Sequence, residues 1–470
     1  MSHCRLTKIV CTLGPACASV EQIRALADNG MSVARINLSH GTRKEHEEVI
    51  ARIRTVNKGR AIPVAILLDT KGAEIRTGDV QTPLTVHAGD EIIFISESDK
   101  RANQPGFVTV NYDGFAKDVQ ETNRILIDNG ELSFDIVAIN PDKTVLAKAR
   151  EDGEIGSRRH VNLPGADVDL PSLTDQDWDD VAFGGAQGVD FLALSFIRSA
   201  DEVEEVRAFL RKKETPVALV SKIETARAVE NIASIIQASD GIMVARGDLG
   251  AEVPFERLPA IQDEIVVRCS DAGKPVIVAT HMLESMKDHP IPTRAEMTDV
   301  AHAATERTDA TMLSGETATG RHPVTALEAM DRLLRSTEAH IARFTSPSDI
   351  RLSEDEYDAR SQAAVNLART TDAAAILVFT RSGRTAQQIS KFRPHVPVIA
   401  CTNEESVQRV MTLLYGVYPL HIAFGEPEET ILRGMEALRT FGIVPKGSRL
   451  ILVSDVPKEL ADWSIQQRTL

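Results

Sequence analysis

Eight short apolar runs, each ending at a polar residue, are the feature of this chain that most constrains its fold. Helix-compatible stretches separate most of them. Short continuous apolar runs are typical of parallel strands that are buried on both faces. Eight such strands alternating with helices predict a closed (β/α)8 TIM barrel, whose active site lies at the carboxyl ends of the strands. The predicted strands are residues 9–14, 33–39, 64–70, 191–197, 217–224, 242–247, 276–280 and 311–316.

The carboxyl ends of these predicted strands carry polar side chains that would together line the mouth of the barrel. Cations gather on one side and carboxylates on the other, which suits an anionic substrate held together with metal ions. The residues are Thr12, Arg35, Asn37, Ser39, Asp69, Thr70, Ser195, Lys222, Glu224, Arg246, Asp248, Thr280, Ser314 and Glu316.

The long stretch between the third and fourth predicted strands differs in kind. Short β-rich segments alternate there with turn residues such as Gly89-Asp90 and Asn129-Gly130, a pattern typical of a small all-β domain. A helical pattern resumes at residues 177–187, so the domain is inserted between the third strand and the next helix. An insertion at the catalytic end of a barrel can act as a lid. Its predicted strands are residues 84–86, 91–96, 107–110, 124–127, 135–139 and 144–149.

The pattern changes again after the last barrel strand. A long helix over residues 323–342 and a polar linker over 346–356 precede helices that alternate with apolar runs at 375–380, 396–401, 417–422 and 449–453. This alternation predicts a C-terminal open α/β domain with a mostly parallel sheet. We therefore predict a barrel from residues 1–72 and 166–343, an inserted β lid over 73–165, and a C-terminal α/β regulatory domain over 344–470.

Charge and cysteine content narrow the class of protein. A net charge of −15 and a pI of about 5.4 argue against a nucleic-acid surface and favour small-molecule chemistry. Five cysteines without metal spacing indicate free thiols in a reducing compartment. The amino terminus enters a strand without an apolar signal region, and no run approaches the roughly 18 apolar residues of a spanning helix. We expect a cytoplasmic protein without membrane association.

Lys222 and Glu224 give the sharpest local signal. Residues two apart on a strand face the same side, so both would point at one site. An interior lysine is costly to bury without partners, and either a structural ion pair or a lysine–metal–carboxylate site would supply them. Gly247 would let a backbone N–H approach an anion, and Asp248 could supply a second carboxylate to Mg²⁺. Alone, Gly247 and Asp248 are also compatible with a plain turn.

A second set of residues offers oxygen atoms for a hard cation. Arg35, Asn37 and Ser39 alternate along the second strand, and Asp69 and Thr70 end the third. Oxygen ligands from the last four could surround a cation. An interior polar ladder and a capped, salt-bridged turn are the alternative interpretations. Thr280, at the end of the seventh strand, either offers its hydroxyl to the site or is an ordinary polar residue at a strand end without a functional role.

At these residues the sequence resembles the pyruvate kinase family. The resemblance runs through the barrel in order, and that family's architecture matches the three-part division predicted above. It implies transfer of the phosphoryl group of phosphoenolpyruvate to ADP, giving pyruvate and ATP in the final step of glycolysis. The resembling stretches are residues 7–16, 34–41, 68–78, 161–165, 221–224, 240–250, 279–286, 292–296 and 312–317.

The resemblance also implies a role for each matching residue. Lys222, Thr280 and Arg35 would be catalytic, with Thr280 on the proton route to the enolate. Substrate would contact Arg35, Gly247, Asp248 and Thr280, and nucleotide would contact Asn37, His40 and Arg76. The implied ligands are Glu224 and Asp248 for Mg²⁺ or Mn²⁺, and Asn37, Ser39, Asp69 and Thr70 for K⁺.

Two further features bear on cation choice and regulation. Glu74 stands where K⁺-dependent members of the family have glutamate, so the resemblance implies K⁺ dependence. A strand-to-helix loop resembles the family's sugar-phosphate effector loop, although a plain turn explains it equally well without the resemblance. The family is usually a homotetramer, and we expect the same here. The loop residues are Thr380, Ser382, Gly383, Arg384 and Thr385.

Two rival functions are open at this point. One is another Mg²⁺-dependent barrel enzyme acting on phosphoenolpyruvate or an oxo-acid, such as a mutase or aldolase; these lack a lid after strand three. The other is a catalytically silent relative that serves as a metabolite-sensing or scaffold protein. It would be expected to have lost Lys222, Glu224 or Asp248, and all three are present.

Overall fold

The computed structural model describes residues 4–102, 104–166, 168–344, 356–454 and 464–470. Three strands and two helices open the chain, and both helices begin at a capping side chain. Ser19 accepts a hydrogen bond from the Gln22 N–H, and Thr42 and Glu45 form a reciprocal capping box. The elements are β1 Lys8–Leu13, α1 Val20–Asp28, β2 Val33–Asn37, α2 Arg43–Asn57 and β3 Ala65–Asp69.

The chain then enters the lid, a six-stranded sheet in the order β11-β7-β8-β9-β5-β6 with a separate β10-β4 pair. Phe94 packs at its centre, with ring centroids 6.1 Å from Phe115 and 5.4 Å from Phe134. The predicted lid strands are confirmed, while the short β10 and β11 are additional. The elements are β4 Leu84–Val86, β5 Glu91–Ser96, β6 Phe107–Val110, α3 Phe115–Asp118, β7 Arg124–Ile127, β8 Leu132–Ile139, β9 Val145–Ala149, β10 Gly153–Ile155 and β11 Val161–Asn162.

The barrel resumes after the lid with alternating helices and strands. The helix at this return, predicted over 177–187, begins two residues earlier because Thr174 and Asp177 form a capping box. The elements are α4 Asp175–Gln187, β12 Phe191–Leu194, α5 Ala200–Lys212, β13 Ala218–Ile223, α6 Ala226–Glu230, α7 Ile232–Ala238, β14 Gly241–Ala245, α8 Arg246–Glu252, α9 Leu258–Ala272, β15 Val276–Ala279, α10 Arg294–Thr305, β16 Ala310–Leu313, α11 Gly315–Ala318 and α12 Pro323–Phe344.

Eight parallel strands close the barrel in the order β1-β16-β15-β14-β13-β12-β3-β2. Apolar side chains such as Val10, Leu67, Met243 and Ile277 fill its interior, each completely buried. The predicted (β/α)8 barrel is therefore confirmed. Each strand ends slightly before its predicted end; β14, for example, ends at Ala245 instead of residue 247. The final polar residues of the predicted strands consequently lie in turns or in the first turn of the next helix.

The C-terminal part is a five-stranded sheet in the order β19-β18-β17-β20-β21, in which β21 alone runs antiparallel to its neighbour. The mostly parallel α/β domain is confirmed, whereas residues 346–355 of the predicted linker lie outside the described residues. The elements are α13 Glu356–Thr370, β17 Ala375–Phe379, α14 Arg384–Lys391, β18 Val398–Thr402, α15 Glu405–Val410, β19 Val417–His421, α16 Pro427–Phe441, β20 Arg449–Ser454 and β21 Ser464–Thr469. Short 3₁₀ segments occur at Val119–Glu121, Asp128–Gly130, Phe255–Arg257, Glu284–Lys287 and Met411–Leu413.

This C-terminal part packs against the amino ends of the barrel strands. Asp309, which precedes β16, pairs through both carboxylate oxygens with Arg393 at 2.8 and 2.7 Å. Asp190, which precedes β12, pairs with Arg409 at 2.7 Å. The carboxyl ends of the strands are thus left to the lid. Within the described ranges, no helix combines the length and apolarity that crossing a bilayer requires.

Candidate active site

Lys222 occupies the centre of the barrel mouth. Its Nζ donates a hydrogen bond to Ser195 Oγ at 2.7 Å and lies 3.1 Å from Asp69 Oδ1 and 2.8 Å from Glu224 Oε1. Burial alone would lower the pKa of Lys222, but the carboxylates of Asp69 and Glu224 outweigh it and raise that pKa above its ordinary value. The lysine is therefore a fixed positive charge at the mouth of the barrel.

Arg35 adds a second cation to the same cluster. Its Nε lies 2.6 Å from Asp69 Oδ2, and one terminal nitrogen donates to Thr12 Oγ1 at 3.0 Å. Burial favours the neutral form of Asp69, but Arg35 and then Lys222 hold the pKa of this carboxyl below its usual value. Asp69 therefore stays ionised and fixes both cations, Arg35 on the adjacent β2 and Lys222 on β13.

Glu224 and Asp248 form a pair of carboxyl groups beside Lys222. Asp248 stands in the first turn of α8 and shares a side-chain hydrogen bond with Glu224. Burial raises the pKa of both groups, and Lys222 lowers it. The charge of Asp248 adds to the rise at Glu224, whereas at Asp248 the charge of Glu74 adds to the rise and the hydrogen bond with Glu224 opposes it. The pair would hold a proton between them unless another cation replaced it.

These two carboxyl groups fit Mg²⁺ or Mn²⁺. Oε1 of Glu224 is buried and, within the described part of the chain, accepts no well-formed hydrogen bond, although the Lys222 ammonium lies close. Two carboxylates whose ionised forms repel each other match the hard-cation preference for oxygen. Glu224 and Asp248 would be the protein ligands.

Thr280 and Gly247 meet next to this pair. The Gly247 N–H, which the sequence analysis offered to an anion, donates to Thr280 Oγ1 at 2.7 Å, and that hydroxyl donates to the Ala279 carbonyl at 2.6 Å. Thr280 has a φ of 68°, so the strand has already broken where its side chain turns toward α8. The N–H of Gly247 becomes available to a ligand only if its hydrogen bond to the Thr280 hydroxyl breaks.

The oxygen atoms proposed for K⁺ lie on two adjacent strand ends. Asn37 and Asp69 are register partners in β2 and β3. Asn37 Oδ1 accepts from the Ser39 N–H at 3.1 Å, and the Thr70 carbonyl accepts from Ser195 Oγ at 2.7 Å. The alternation expected through Ser39 stops early, because β2 ends at Asn37 and the side chain of Asn37 caps the following turn. The Asn37 and Thr70 oxygens each accept one of these hydrogen bonds and keep a second lone pair for a cation, whereas Asp69 is already paired with Arg35 and Lys222.

The residues proposed for nucleotide and for K⁺ dependence lie at the joint between barrel and lid. Arg76 binds Glu74 Oε2 at 2.5 Å and the Arg158 carbonyl at 2.7 Å. His40 is exposed, and its carbonyl contacts His46 Nε2 at 2.8 Å. The structure therefore places Glu74 and Arg76 together, with His40 on the rim of the barrel.

A cavity of about 490 Å³ lies where the lid joints meet the barrel. Asn162 of the lid donates to Glu252 Oε1 at 3.0 Å across it, and burial raises the pKa of Glu252 to about 7. His160 also lines the cavity, with its Nδ1 3.7 Å from Asp248, and burial lowers the pKa of His160. The lid thus brings an imidazole and an amide to the carboxylate side of the site.

The candidate effector loop connects β17 to α14 on the C-terminal part. Gly383 has a φ of 82° and its N–H donates to Thr380 Oγ1 at 3.1 Å, while the Arg384 N–H reaches Ser382 Oγ at 3.4 Å. Thr380 and Thr385 are buried. The loop is a strand-to-helix turn whose N–H groups bind its own side chains.

The sequence places Ser195 at the barrel mouth without a specific role, and it singles out neither Phe196 nor His160. Ser195 bridges Lys222 and the Thr70 carbonyl, and the Phe196 N–H donates to Glu224 Oε2 at 2.7 Å. A serine closing an apolar strand was a signal for the first. Phe196 contributes only its backbone, with a φ of 54°, and His160 lies far from the barrel in sequence, so neither left a readable pattern.

Comparison with known proteins agrees with this geometry. A family model described as pyruvate kinase, barrel domain, matches residues 4–327, and one described as pyruvate kinase, alpha/beta domain, matches residues 358–462. Plastidial pyruvate kinase 2 of Arabidopsis thaliana is 41% identical over 452 residues, covering 96% of this chain and 78% of that protein. Pyruvate kinase of Bacillus licheniformis is 40% identical over 469 residues, covering 98% and 80%. With the barrel, the lid and the Lys222 cluster in place, these matches show that the chain belongs to the pyruvate kinase family.

Proposed function

We propose that this protein transfers the phosphoryl group of phosphoenolpyruvate to ADP, through the residues gathered around Lys222. The bond between the enol oxygen and phosphorus breaks, a β-phosphate oxygen of ADP bonds to the phosphorus, and the enolate takes a proton at its methylene carbon to give pyruvate. The observation that carries this assignment is the buried Lys222 ammonium, held by Ser195, Asp69 and Glu224 at the mouth of the barrel.

Lys222 and Arg35 supply the positive charge that phosphoryl transfer needs. The transition state spreads negative charge over the equatorial oxygens of the phosphoryl group, and positioned cations stabilise it more than covalent chemistry does. Both cations are already fixed by Asp69, so little reorganisation is required when the charge develops. Arg35 then contacts the phosphate, and Lys222 stabilises the phosphoryl group while it is transferred.

Glu224 and Asp248 would hold Mg²⁺ or Mn²⁺, and the burial of both carboxyl groups, with the charge of Asp248 raising the pKa of Glu224, supports this role. When bound, the cation supplies Lewis-acid stabilisation of the enolate. Gly247 would hold the substrate through its N–H once Thr280 releases it. Thr280 then has a free hydroxyl with which to pass a proton toward the enolate through water.

K⁺ dependence is a second part of the proposal. Asn37, Ser39, Asp69 and the Thr70 carbonyl offer oxygen ligands at adjacent strand ends, and the Glu74 carboxylate, paired with Arg76, lies at the joint to the lid. Initial rates with K⁺ replaced by tetramethylammonium should fall strongly. Full activity in the organic cation would refute K⁺ dependence and leave phosphoryl transfer itself standing.

We place the nucleotide at the rim formed by Asn37, His40 and Arg76. The Arg76 guanidinium would leave Glu74 to contact the phosphates. Closing the lid would exclude water, which otherwise competes with ADP for the phosphoryl group.

Replacing Lys222 by methionine tests the assignment. The variant should lose several orders of magnitude in kcat and keep near-normal phosphoenolpyruvate binding, because the charge matters most in the transition state. Initial rates and calorimetric binding measure the two effects separately, and circular dichroism controls for folding. Near-normal turnover would remove Lys222 from its role, and a folded wild-type protein without ADP-dependent pyruvate formation would support the silent-relative alternative.

Assembly, regulation and location complete the proposal. We infer a homotetramer, to be tested by light scattering, and a sugar-phosphate or nucleotide effector at the loop around Gly383, to be tested by rates with and without such compounds. The five free cysteines support a reducing compartment such as the cytoplasm. Five of the similar plant proteins are named as plastidial or chloroplastic, so fractionation of the source cells decides the location.

A further inference from the structure

A second cluster of metal-ligand side chains lies on the outer face of the barrel, away from the Lys222 site. His302 stands near the end of α10, and Glu306 follows one turn later, so both side chains lie on the same side of the helix. Asp263 faces them from the adjacent α9. Three potential ligands from two neighbouring helices therefore converge on one point.

The distances within this cluster are close to those around a bound metal ion. His302 Nε2 lies 3.2 Å from Asp263 Oδ1 and 3.7 Å from Glu306 Oε1, and all three ligand atoms lie within 4.8 Å of one another. Ligands at tetrahedral angles around Zn²⁺, with metal–ligand distances near 2.1 Å, are separated by roughly 3.4 Å. A cation could enter with only small rotations of the Asp263 and His302 side chains, which are about half exposed.

Glu306 is the observation that points to a ligand. Its side chain is only 8% exposed, and its Oε1, 3.7 Å from His302 Nε2, accepts no well-formed hydrogen bond within the described part of the chain. Burial, and then a side-chain hydrogen bond with Asp263, raises the pKa of Glu306 above its ordinary value. A buried carboxylate oxygen without a donor is costly, and a proton or a metal ion must satisfy it.

The surroundings support a cation in that position. The Gln262 amide donates to the other oxygen of Glu306 at 2.8 Å, which fixes the carboxylate so that Oε1 faces the cluster. Arg246 lowers the pKa of Glu306 only from a distance, because its guanidinium is already paired with both oxygens of Asp299 at 2.7 Å. The two carboxylates of the cluster therefore have no arginine of their own to neutralise them within the described structure.

We propose that Asp263, His302 and Glu306 bind one divalent transition-metal cation of the Zn²⁺ type, separate from the Mg²⁺ of the catalytic site. One imidazole nitrogen and two carboxylate oxygens form a borderline donor set that prefers such cations over Mg²⁺. Water completes the coordination on the exposed side. The ion joins α9 to α10, so it stabilises the barrel wall and takes no part in phosphoryl transfer.

The test is zinc binding by the full-length protein in excess Mg²⁺, with two histidine variants. Equilibrium dialysis against Zn²⁺ should show one more bound ion in the wild type than in His302→Asn. The control His289→Asn, which changes another exposed histidine, should bind as the wild type does. Glu306→Gln provides a second variant, expected to lose the same ion. Zinc should raise the unfolding temperature of the wild type and of His289→Asn only.

Anomalous diffraction at the zinc edge from zinc-soaked crystals locates the ion. A peak between Asp263, His302 and Glu306 supports the proposal. Equal zinc binding by the wild type and His302→Asn, or anomalous peaks confined to the Glu224–Asp248 pair or to cysteines, overturns it. Activity with Mg²⁺ should be unchanged in His302→Asn, and a loss of kcat there would contradict a role limited to the barrel wall.

Discussion

The ammonium of Lys222 has exchanged its water shell for three protein oxygens. Removing an ammonium and a carboxylate from water costs several kcal/mol for each ion. The attraction between them offsets this cost only when their remaining hydrogen bonds are made. Ser195 makes one of these bonds, and it also donates to the Thr70 carbonyl at 2.7 Å. The serine hydroxyl therefore sets the position of the lysine relative to the third strand.

Replacing Ser195 by alanine should lower kcat by about 5–30-fold, which corresponds to about 1–2 kcal/mol for one lost hydrogen bond to a charged group. Lys222 would shift toward Asp69 and Glu224, so the phosphoryl group would meet it less well. Steady-state rates at saturating phosphoenolpyruvate measure the effect. Ser221→Ala is the matched control, because Ser221 is equally buried and bonds Ser239 on the helix-facing side. Equal effects in both variants would contradict a specific role for Ser195.

The sequence identified the residues that act through side-chain spacing. Lys222 and Glu224 are two apart on one strand, and a lysine there is unusual enough to be noticed. Ser195 is an ordinary residue at a strand end, and its importance comes from β3 and β12 being neighbours in the closed barrel. His160 reaches Asp248 only because the lid folds back over the barrel. Contacts of this kind depend on closure of the fold and cannot be read from a local pattern.

At the scale of elements, apolar runs located the barrel strands but not their ends. An alternating polar residue looks the same whether the strand continues or a helix begins, and at Arg246 the helix α8 has already begun. The lid strand β11 was missed because it has only two residues, and β10 was missed because its sequence GEI holds a single apolar residue, unlike the equally short β4 with LTV. The edge strand β21 has the polar sequence SIQQRT and is recognisable only through its antiparallel pairing with β20.

The joint between β3 and the lid depends on Gly72. Its φ is 74°, and a Cβ built there would lie 2.6 Å from Phe196 Cδ2 and 2.7 Å from the Ser195 Cβ. Gly72→Ala should therefore cost about 1–3 kcal/mol beyond the backbone strain and should lower kcat by displacing Ser195. Gly59→Ala is the control, since Gly59 has a φ of 80° and nothing within 4 Å of a built Cβ. Similar melting temperatures and rates for the two variants would show that this contact is unimportant.

Glu252 connects the lid to the barrel in a pH-dependent way. Its folded pKa of about 7 exceeds the ordinary glutamate value of 4.5, because burial favours the protonated acid. Its contribution to stability is thus complete below about pH 4.5 and is lost as the pH rises through 7. Glu252→Gln keeps an uncharged acceptor for Asn162. The stability of the variant should therefore rise relative to that of the wild type as the pH is raised from 5 to 8.

Urea unfolding of the wild type and Glu252→Gln at pH 5 and pH 8, without divalent cations, measures the difference in stability. Glu154→Gln, which changes an exposed glutamate of the lid, should shift the unfolding midpoint equally at both. A Glu252→Gln difference that stays constant with pH would mean that Glu252 is already ionised in the folded protein.

In the whole molecule, the two ends of the barrel make different contacts. The carboxyl ends of the strands carry the Lys222 cluster, and the amino ends carry the contact with the C-terminal part. The barrel, lid and C-terminal sheet were all predictable, because each has its own hydrophobic periodicity. The packing of one against another was not, because it depends on single ion pairs such as Asp309 with Arg393.

Asp309 is the residue on which this contact most depends. Besides Arg393, its oxygens accept from the N–H groups of Val276 at 3.1 Å and Tyr415 at 2.9 Å, so it joins the barrel to the C-terminal part.

Asp309→Asn would leave the Arg393 charge buried without a counter-ion, because the side chains of the pair are only 2% and 8% exposed. Breaking a buried pair in this way costs about 3–5 kcal/mol. Calorimetry should therefore show a clearly lower unfolding temperature, with the C-terminal part melting separately. Asp79→Asn, which breaks the exposed pair with Arg158, should melt close to the wild type. If the two variants melted alike, the contact between the barrel and the C-terminal part would have to rest on its apolar and neutral hydrogen-bonded contacts instead.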